Sequence, residues 1–292
     1  MLVRTIATVV TGLVLTASAP QDMNPADIDK LPRSTPTTVH RYGAEPMQFG
    51  ELRVPAGKGP FPVAIVIHGG CFLREYEGVD GTAPIATALT AKGVATWNIE
   101  YRAIGDAGGG WPGTYDDWAK ATDALRGLAK KHRLDLSRVV ALGHSAGAPA
   151  AIYLAARPRL GDSARGDKPL RIKAAVAIDG PPDLSNLAGR DAAICGRPVI
   201  AELMGGTQAE QPARYTTVSP LAHLPLGVPQ YLITSSPVLP MEIATSYRDA
   251  AAAKGDRVEI VPVKGDHFNI IAPGRPQWTQ VQSVIVDRAL AR

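Results

Sequence analysis

Residues 139–148 read VVALGHSAGA, an apolar, β-branched run that passes without a spacer into Gly143-His144-Ser145-Ala146-Gly147. A strand feeding directly into a glycine-flanked serine, with the small apolar residues of a helical stretch (146–157) behind it, predicts a strand–turn–helix unit. The flanking glycines permit a very sharp turn, which leaves the serine hydroxyl standing at the sheet edge, beside a helix N-terminus that favours negative charge. Ser145 is therefore the candidate nucleophile. The pentapeptide alone also fits an ordinary tight turn, so its meaning depends on the segments around it.

Upstream, residues 62–67 (PVAIVI) form a short apolar run that ends in His68-Gly69-Gly70-Cys71. This matches the HGGG type of loop that offers peptide N–H groups to an oxyanion, with Cys71 in the third glycine position. Downstream, residues 257–263 (RVEIVPV) are followed by Lys264-Gly265-Asp266-His267-Phe268, which places His267 as the base. With these pieces in this order, residues 61 to the C-terminus resemble the α/β-hydrolase family, and within it the small esterases related to hormone-sensitive lipase and kynurenine formamidase. Trp97-Asn98-Ile99-Glu100-Tyr101-Arg102 at a strand end and Ser219-Pro220-Leu221-Ala222 before the penultimate strand resemble the same branch.

The resemblance implies the α/β-hydrolase fold, a mainly parallel sheet covered by helices on both faces, with a short irregular cap. It also implies a serine hydrolase of small carboxylic esters, working through an acyl-enzyme on Ser145 with His267 as general base. Its oxyanion hole would be built from the N–H groups of Gly70, Cys71 and Ala146. An amidase or formamidase uses the same parts, and a catalytically degenerate binding protein on this fold is the alternative from another class. No cofactor is implied, and the expected partner is a small-molecule ester.

The triad acid is where the chain departs from the family. Relatives carry an aspartate after the penultimate strand, whereas residues 231–234 here run into Ser235-Ser236-Pro237, with Ser236 nearest the expected acid. A serine cannot supply the negative charge that stabilises an imidazolium. Asp179, at the end of the strand 172–178, is the favoured substitute, since some lipases of this fold place the acid there. Glu242 falls inside a helical stretch, Asp266 adjoins His267 too closely in sequence to reach its Nδ1, and Asp183 reads as a cap. An enzyme without any acid would be a weakened dyad.

The rest of the sequence sets the frame. At 292 residues with 45% hydrophobic content, the chain can bury one core. The net charge of +4 is dispersed, which argues against nucleic acid as a partner. Strands are expected at 47–54 (an edge), 62–67, 94–100, 138–142, 172–178, 230–234 and 257–263, with helices at 83–92, 115–131, 146–157, 241–254 and 277–291. Residues 181–229, rich in Gly and Pro, form the cap. Residues 1–19 read as a secretory signal peptide ending in Ala17-Ser18-Ala19, with an uncleaved anchor as the other reading. Residues 20–44 read as an exposed extension and 45–292 as the catalytic domain; export to the periplasm or beyond follows, with no integral membrane partner. In an oxidising compartment Cys71 and Cys195 either pair or remain separate thiols. His68 and His144 read as structural loop residues, and the isolated His40, His132 and His223 give no metal-ligand spacing.

Overall fold

The computed structural model describes residues 22–291; the expected signal peptide lies outside the described residues. Its centre is an eight-stranded sheet in the order β1-β2-β4-β3-β5-β6-β7-β8. The strands are β1 (Thr38–Arg41), β2 (Phe49–Arg53), β3 (Phe61–Ile67), β4 (Ala95–Ile99), β5 (Leu134–His144), β6 (Ala174–Ile178), β7 (Gln230–Thr234) and β8 (Val258–Pro262). The pairs β1–β2 and β2–β4 are antiparallel and all others parallel.

A parallel sheet buried on both faces needs strands that are apolar at every position. In β3, Val63, Ile65 and Ile67 belong to one core layer and Ala64 and Val66 to the other. The first layer packs under α3 (Gly113–His132), α4 (Gly147–Ala156) and the helix Met241–Ala252. The second packs under α2 (Val79–Ala91) and the helix Pro276–Ser283 with its π-helical continuation Val284–Ala289. Both faces are thus covered, as expected. The expected cap at 181–229 is a chain of short helices, Asp191–Cys195, Ile200–Met204 and Pro212–Val218, joined by irregular turns.

Two boundaries and one segment differ from the sequence reading, and the strand expected at the edge, β2, is paired on both sides, by β1 and β4. The α2 helix begins at Val79, before Pro84, because its first N–H is capped across the fold by Glu100 Oε2 at 3.2 Å, a partner invisible to local sequence. The β5 strand begins at Leu134, which pairs with Phe61 beyond a register shift between Phe61 and Val63. Part of the segment read as an exposed extension is built into the fold. Within it, α1 (Pro25–Ile28) buries Ile28 at 2% exposure in the second core layer, and β1 adds a strand outside β2. A single large apolar side chain and a four-residue strand carry too little periodicity to be read locally.

Parallel strands deliver all their C-terminal ends to one edge, and there the site is assembled. The neighbouring strands β3, β5, β6, β7 and β8 end respectively at the His68–Cys71 loop, at Ser145, at Asp179, at Ser235-Ser236 and ahead of His267.

Candidate active site

Ser145 sits between β5 and α4 with φ of 54°, in the left-handed region disfavoured for a residue with a side chain. The turn is held by Ser145 N donating to Ile178 O at 2.9 Å and by Ala148 N donating to Ser145 O at 3.0 Å. Its glycines are required by close approach. A Cβ on Gly143 would lie 1.9 Å from Gly147 O, and one on Gly147 would lie 2.4 Å from Ile67 O. The Ser145 hydroxyl and His267 Nε2 have no hydrogen-bond partner among the described residues, and both residues line one cavity of about 580 Å³. Its apolar walls come from Pro25, Ile194, Pro237, Val238 and Phe268.

Asp179 is brought to His267. The His267 Nδ1–H donates to Asp179 Oδ2 at 2.7 Å, while Asp179 Oδ1 accepts Ser235 N at 2.9 Å and Ser236 N at 3.0 Å. Ser236, the residue nearest the position where the resemblance led an acid to be expected, thus donates its peptide N–H to the carboxylate one strand away. The Asp179 side chain is wholly buried. Burial alone would raise its pKa, but the hydrogen bonds from His267 and Ser236, with the nearby His267 charge, outweigh it and hold the carboxyl below the usual carboxylate value. Asp179, like Ser145, occupies the left-handed region, with φ of 46°. Aspartate tolerates that conformation better than most residues.

The other carboxylates are elsewhere. Asp183 accepts Ser185 N at 3.0 Å and Leu221 N at 3.2 Å, tying the cap to itself. Glu242 is exposed on the first turn of its helix. Asp266 orders the loop before His267, accepting Phe268 N and Asn269 N at 2.8 Å each and Met23 N at 3.1 Å.

His144 has a role that its flanking glycine did not reveal. Its ring lies 4.4 Å from that of His267, and its Nε2–H donates to the His267 carbonyl at 2.8 Å. Burial and the adjacent His267 charge push its pKa down to about 3, so His144 is a neutral prop for the His267 backbone. His68 reaches beyond its loop to Glu100, with Nε2 2.9 Å from Oε1, and its Nδ1 lies 3.0 Å from Gly69 O. Burial opposes protonation of His68, but the Glu100 charge and hydrogen bond prevail and raise its pKa.

The loop facing Ser145 holds three successive residues with positive φ, Gly70, Cys71 and Phe72, at 88°, 54° and 61°. The N–H groups of Gly70, Cys71 and Ala146 donate to no protein acceptor among the described residues. Cys71 and Cys195 form a disulfide, resolving the alternatives in favour of the bond and tying this loop to the cap helix Asp191–Cys195 across 124 residues of chain. A closure of that length is expected to stabilise the fold by roughly 3–5 kcal/mol. Urea unfolding with and without a thiol reductant measures this directly; an unchanged midpoint would refute it.

A family model described as BD-FAE matches residues 52–238, well over half of the chain. No curated protein matches the sequence. Among solved structures, a truncated carbohydrate esterase from gut microbiota superposes with a TM-score of 0.72 at 17% identity, over 89% of this chain and 99% of that one. Esterase 2 of Thermogutta terrifontis gives a TM-score of 0.69 at 17% identity, over 89% and 98%. A bifunctional GH43-CE protein of Bacteroides eggerthii gives 0.68 at 21% identity over 86% of this chain, which spans only 37% of that larger chain. These likenesses show the α/β-hydrolase fold.

Proposed function

The chain belongs to the BD-FAE family, an esterase family of the α/β-hydrolase type, and on that premise we propose that it hydrolyses small carboxylic esters through an acyl-enzyme on Ser145. His267 Nε2 takes the Ser145 proton as Oγ attacks the ester carbonyl, and Asp179 holds His267 in the tautomer with Nδ1 protonated. The N–H groups of Gly70, Cys71 and Ala146 receive the tetrahedral oxyanion. Its collapse breaks the bond to the alkoxy oxygen, which leaves with the proton from His267. Water, deprotonated by the same imidazole, then releases the acid and restores Ser145.

The observation that carries this reading is the 2.7 Å contact between His267 Nδ1 and the buried Asp179 Oδ2. It supplies the negative charge that the Ser235-Ser236 stretch lacks, and it favours a working triad over a degenerate fold. The apolar cavity of about 580 Å³ suits a short acyl chain. The Cys71–Cys195 disulfide supports export to an oxidising compartment.

The test is turnover of short-chain p-nitrophenyl esters together with fluorophosphonate labelling located by mass spectrometry. Ester turnover with the adduct on the Ser145 peptide is expected; an adduct on another residue, or turnover without reaction at Ser145, would refute the mechanism.

A further inference from the structure

We infer that Glu77 is a positioning residue for the oxyanion-hole loop, acting as the acceptor that fixes the peptide unit preceding Gly69 and thereby aims the donors that follow. The inference rests on the acyl-transfer role proposed for Ser145.

The loop after β3 has little secondary structure to hold it, so its peptide planes must be fixed by side chains. On one side, Tyr101 Oη donates to His68 O at 3.1 Å and to Gly69 O at 3.3 Å, and His68 Nδ1 lies 3.0 Å from Gly69 O. Because Gly69 C=O and Gly70 N–H share one peptide plane, drawing that carbonyl toward Tyr101 turns the Gly70 N–H to the opposite side. The peptide unit before it has its carbonyl on Tyr101 and its N–H on Glu77, with Gly69 N donating to Glu77 Oε2 at 3.1 Å. The His68–Gly69 plane is therefore held from both sides, by Tyr101 and by Glu77, and the Gly69–Gly70 plane that follows is held at its carbonyl alone, with Glu77 the acceptor on the side of the cavity.

Packing places Glu77 close to the reacting serine. A Cβ added to Gly69 would lie 2.9 Å from Ser145 Cβ and 3.1 Å from Glu77 Oε2, so the carboxyl and the serine side chain flank the same glycine. A Cβ added to Gly70 would lie 2.8 Å from Glu77 Cβ and 2.9 Å from Glu77 N, so the Glu77 backbone also backs the loop. Glu77 lines the cavity shared by Ser145 and His267, yet no step of the proposed reaction uses it. Burial raises its carboxyl pKa, tempered by the charges of His68 and His267. Either protonation state presents an acceptor to Gly69 N–H. Without that acceptor the N–H is left unpaired in a partly buried site, and rotation of its peptide to find another partner would carry the Gly70 donor away from the oxyanion.

The variants that separate positioning from bulk structure are Glu77→Met, which keeps the length of the side chain and removes the acceptor, and Glu77→Gln, which keeps an acceptor oxygen. Expected for E77M is a fall in kcat of about 10²-fold with KM within about threefold, the scale set by losing or misplacing one oxyanion donor. Affinity for a trifluoromethyl ketone, whose Ser145 adduct carries an oxyanion, should fall by the same factor. E77Q should regain most of the loss in both readouts, and the two variants should unfold at similar temperatures. The proposal is overturned by an E77M enzyme with kcat within threefold of wild type, by a loss confined to KM, or by E77Q as impaired as E77M. It is equally overturned if E77M fails to fold while E77Q folds, since the bond would then serve the fold alone. Ser145→Ala in the same assays keeps the two readings apart: an inert S145A beside a normal E77M refutes the role of Glu77 and leaves the acyl-enzyme standing. A wild-type protein that neither turns over nor binds the ketone refutes both.

Discussion

Ser145→Ala is expected to lower kcat on a short-chain ester by about 10⁶-fold, the scale found when the serine of a catalytic triad is removed. The size of the effect follows from the arrangement. In the proposed mechanism, with Oγ gone, His267 would have no proton to accept from the enzyme and the N–H groups of Gly70, Cys71 and Ala146 would have no covalent intermediate to stabilise. Since Ser145 and His267 would act as a unit, His267→Ala should cost a similar factor, and the double variant should be no slower than either single one. Initial-rate measurements on the three proteins form the cycle; additive losses, or an S145A protein within a hundredfold of wild type, would place the nucleophile elsewhere. Stability should move the opposite way for a different replacement. Ser145 is held at φ of 54°, which glycine adopts without steric cost, so Ser145→Gly should abolish turnover while raising stability by about 1 kcal/mol. A higher melting temperature for S145G than for S145A reads this out.

What was legible in the sequence, and what was not, divides by the range of the interactions. The strand–turn–helix around Ser145 announces itself because every requirement is local: an apolar strand, a glycine whose Cβ would strike Gly147 O, and a helix of small residues. Asp179 could be favoured because a carboxylate directly after a strand falls on the same edge as the serine once the sheet is parallel. Its selection over Asp183, Asp266 and Glu242 needed the order β5-β6-β7, which sets Asp179 beside both Ser145 and Ser235-Ser236. No local signal could show that the Ser235-Ser236 stretch turns its peptide N–H groups onto Asp179. The disulfide stayed open for the same reason, since two cysteines 124 residues apart have no separation that sequence can measure. Ile28 and β1 were missed because segments that short are ordered by the sheet they join, and Glu77 because its acceptor role exists only against the folded loop after β3.

The proposed role of Asp179 as the triad acid leads to the second large effect. Asp179→Asn is expected to lower kcat by about 10⁴-fold, as the equivalent change does in a serine protease. Asparagine preserves the shape, and its oxygen can keep the N–H groups of Ser235 and Ser236. Its amide nitrogen then faces His267 Nδ1 and donates to it, which forces the ring proton onto Nε2, the atom that must accept from Ser145. Binding of substrate should change little, so the loss belongs in kcat. The same substitution carries a pH signature. The Asp179 carboxyl lies below its ordinary value in the folded protein, so it contributes stability that is fully present above the unfolded carboxylate range, near pH 3.9, and is lost as pH falls through the folded value. The gap in unfolding free energy between wild type and D179N should therefore be largest at neutral pH and narrow progressively below about pH 4. Urea titrations across that range, beside kcat at neutral pH for D179N, Asp266→Asn and Glu242→Gln, settle the assignment. A rate loss of less than tenfold in D179N, or a larger loss in either of the other two, would move the acid away from Asp179; a stability gap that widens on acidification would show that the carboxylate is destabilised where it sits.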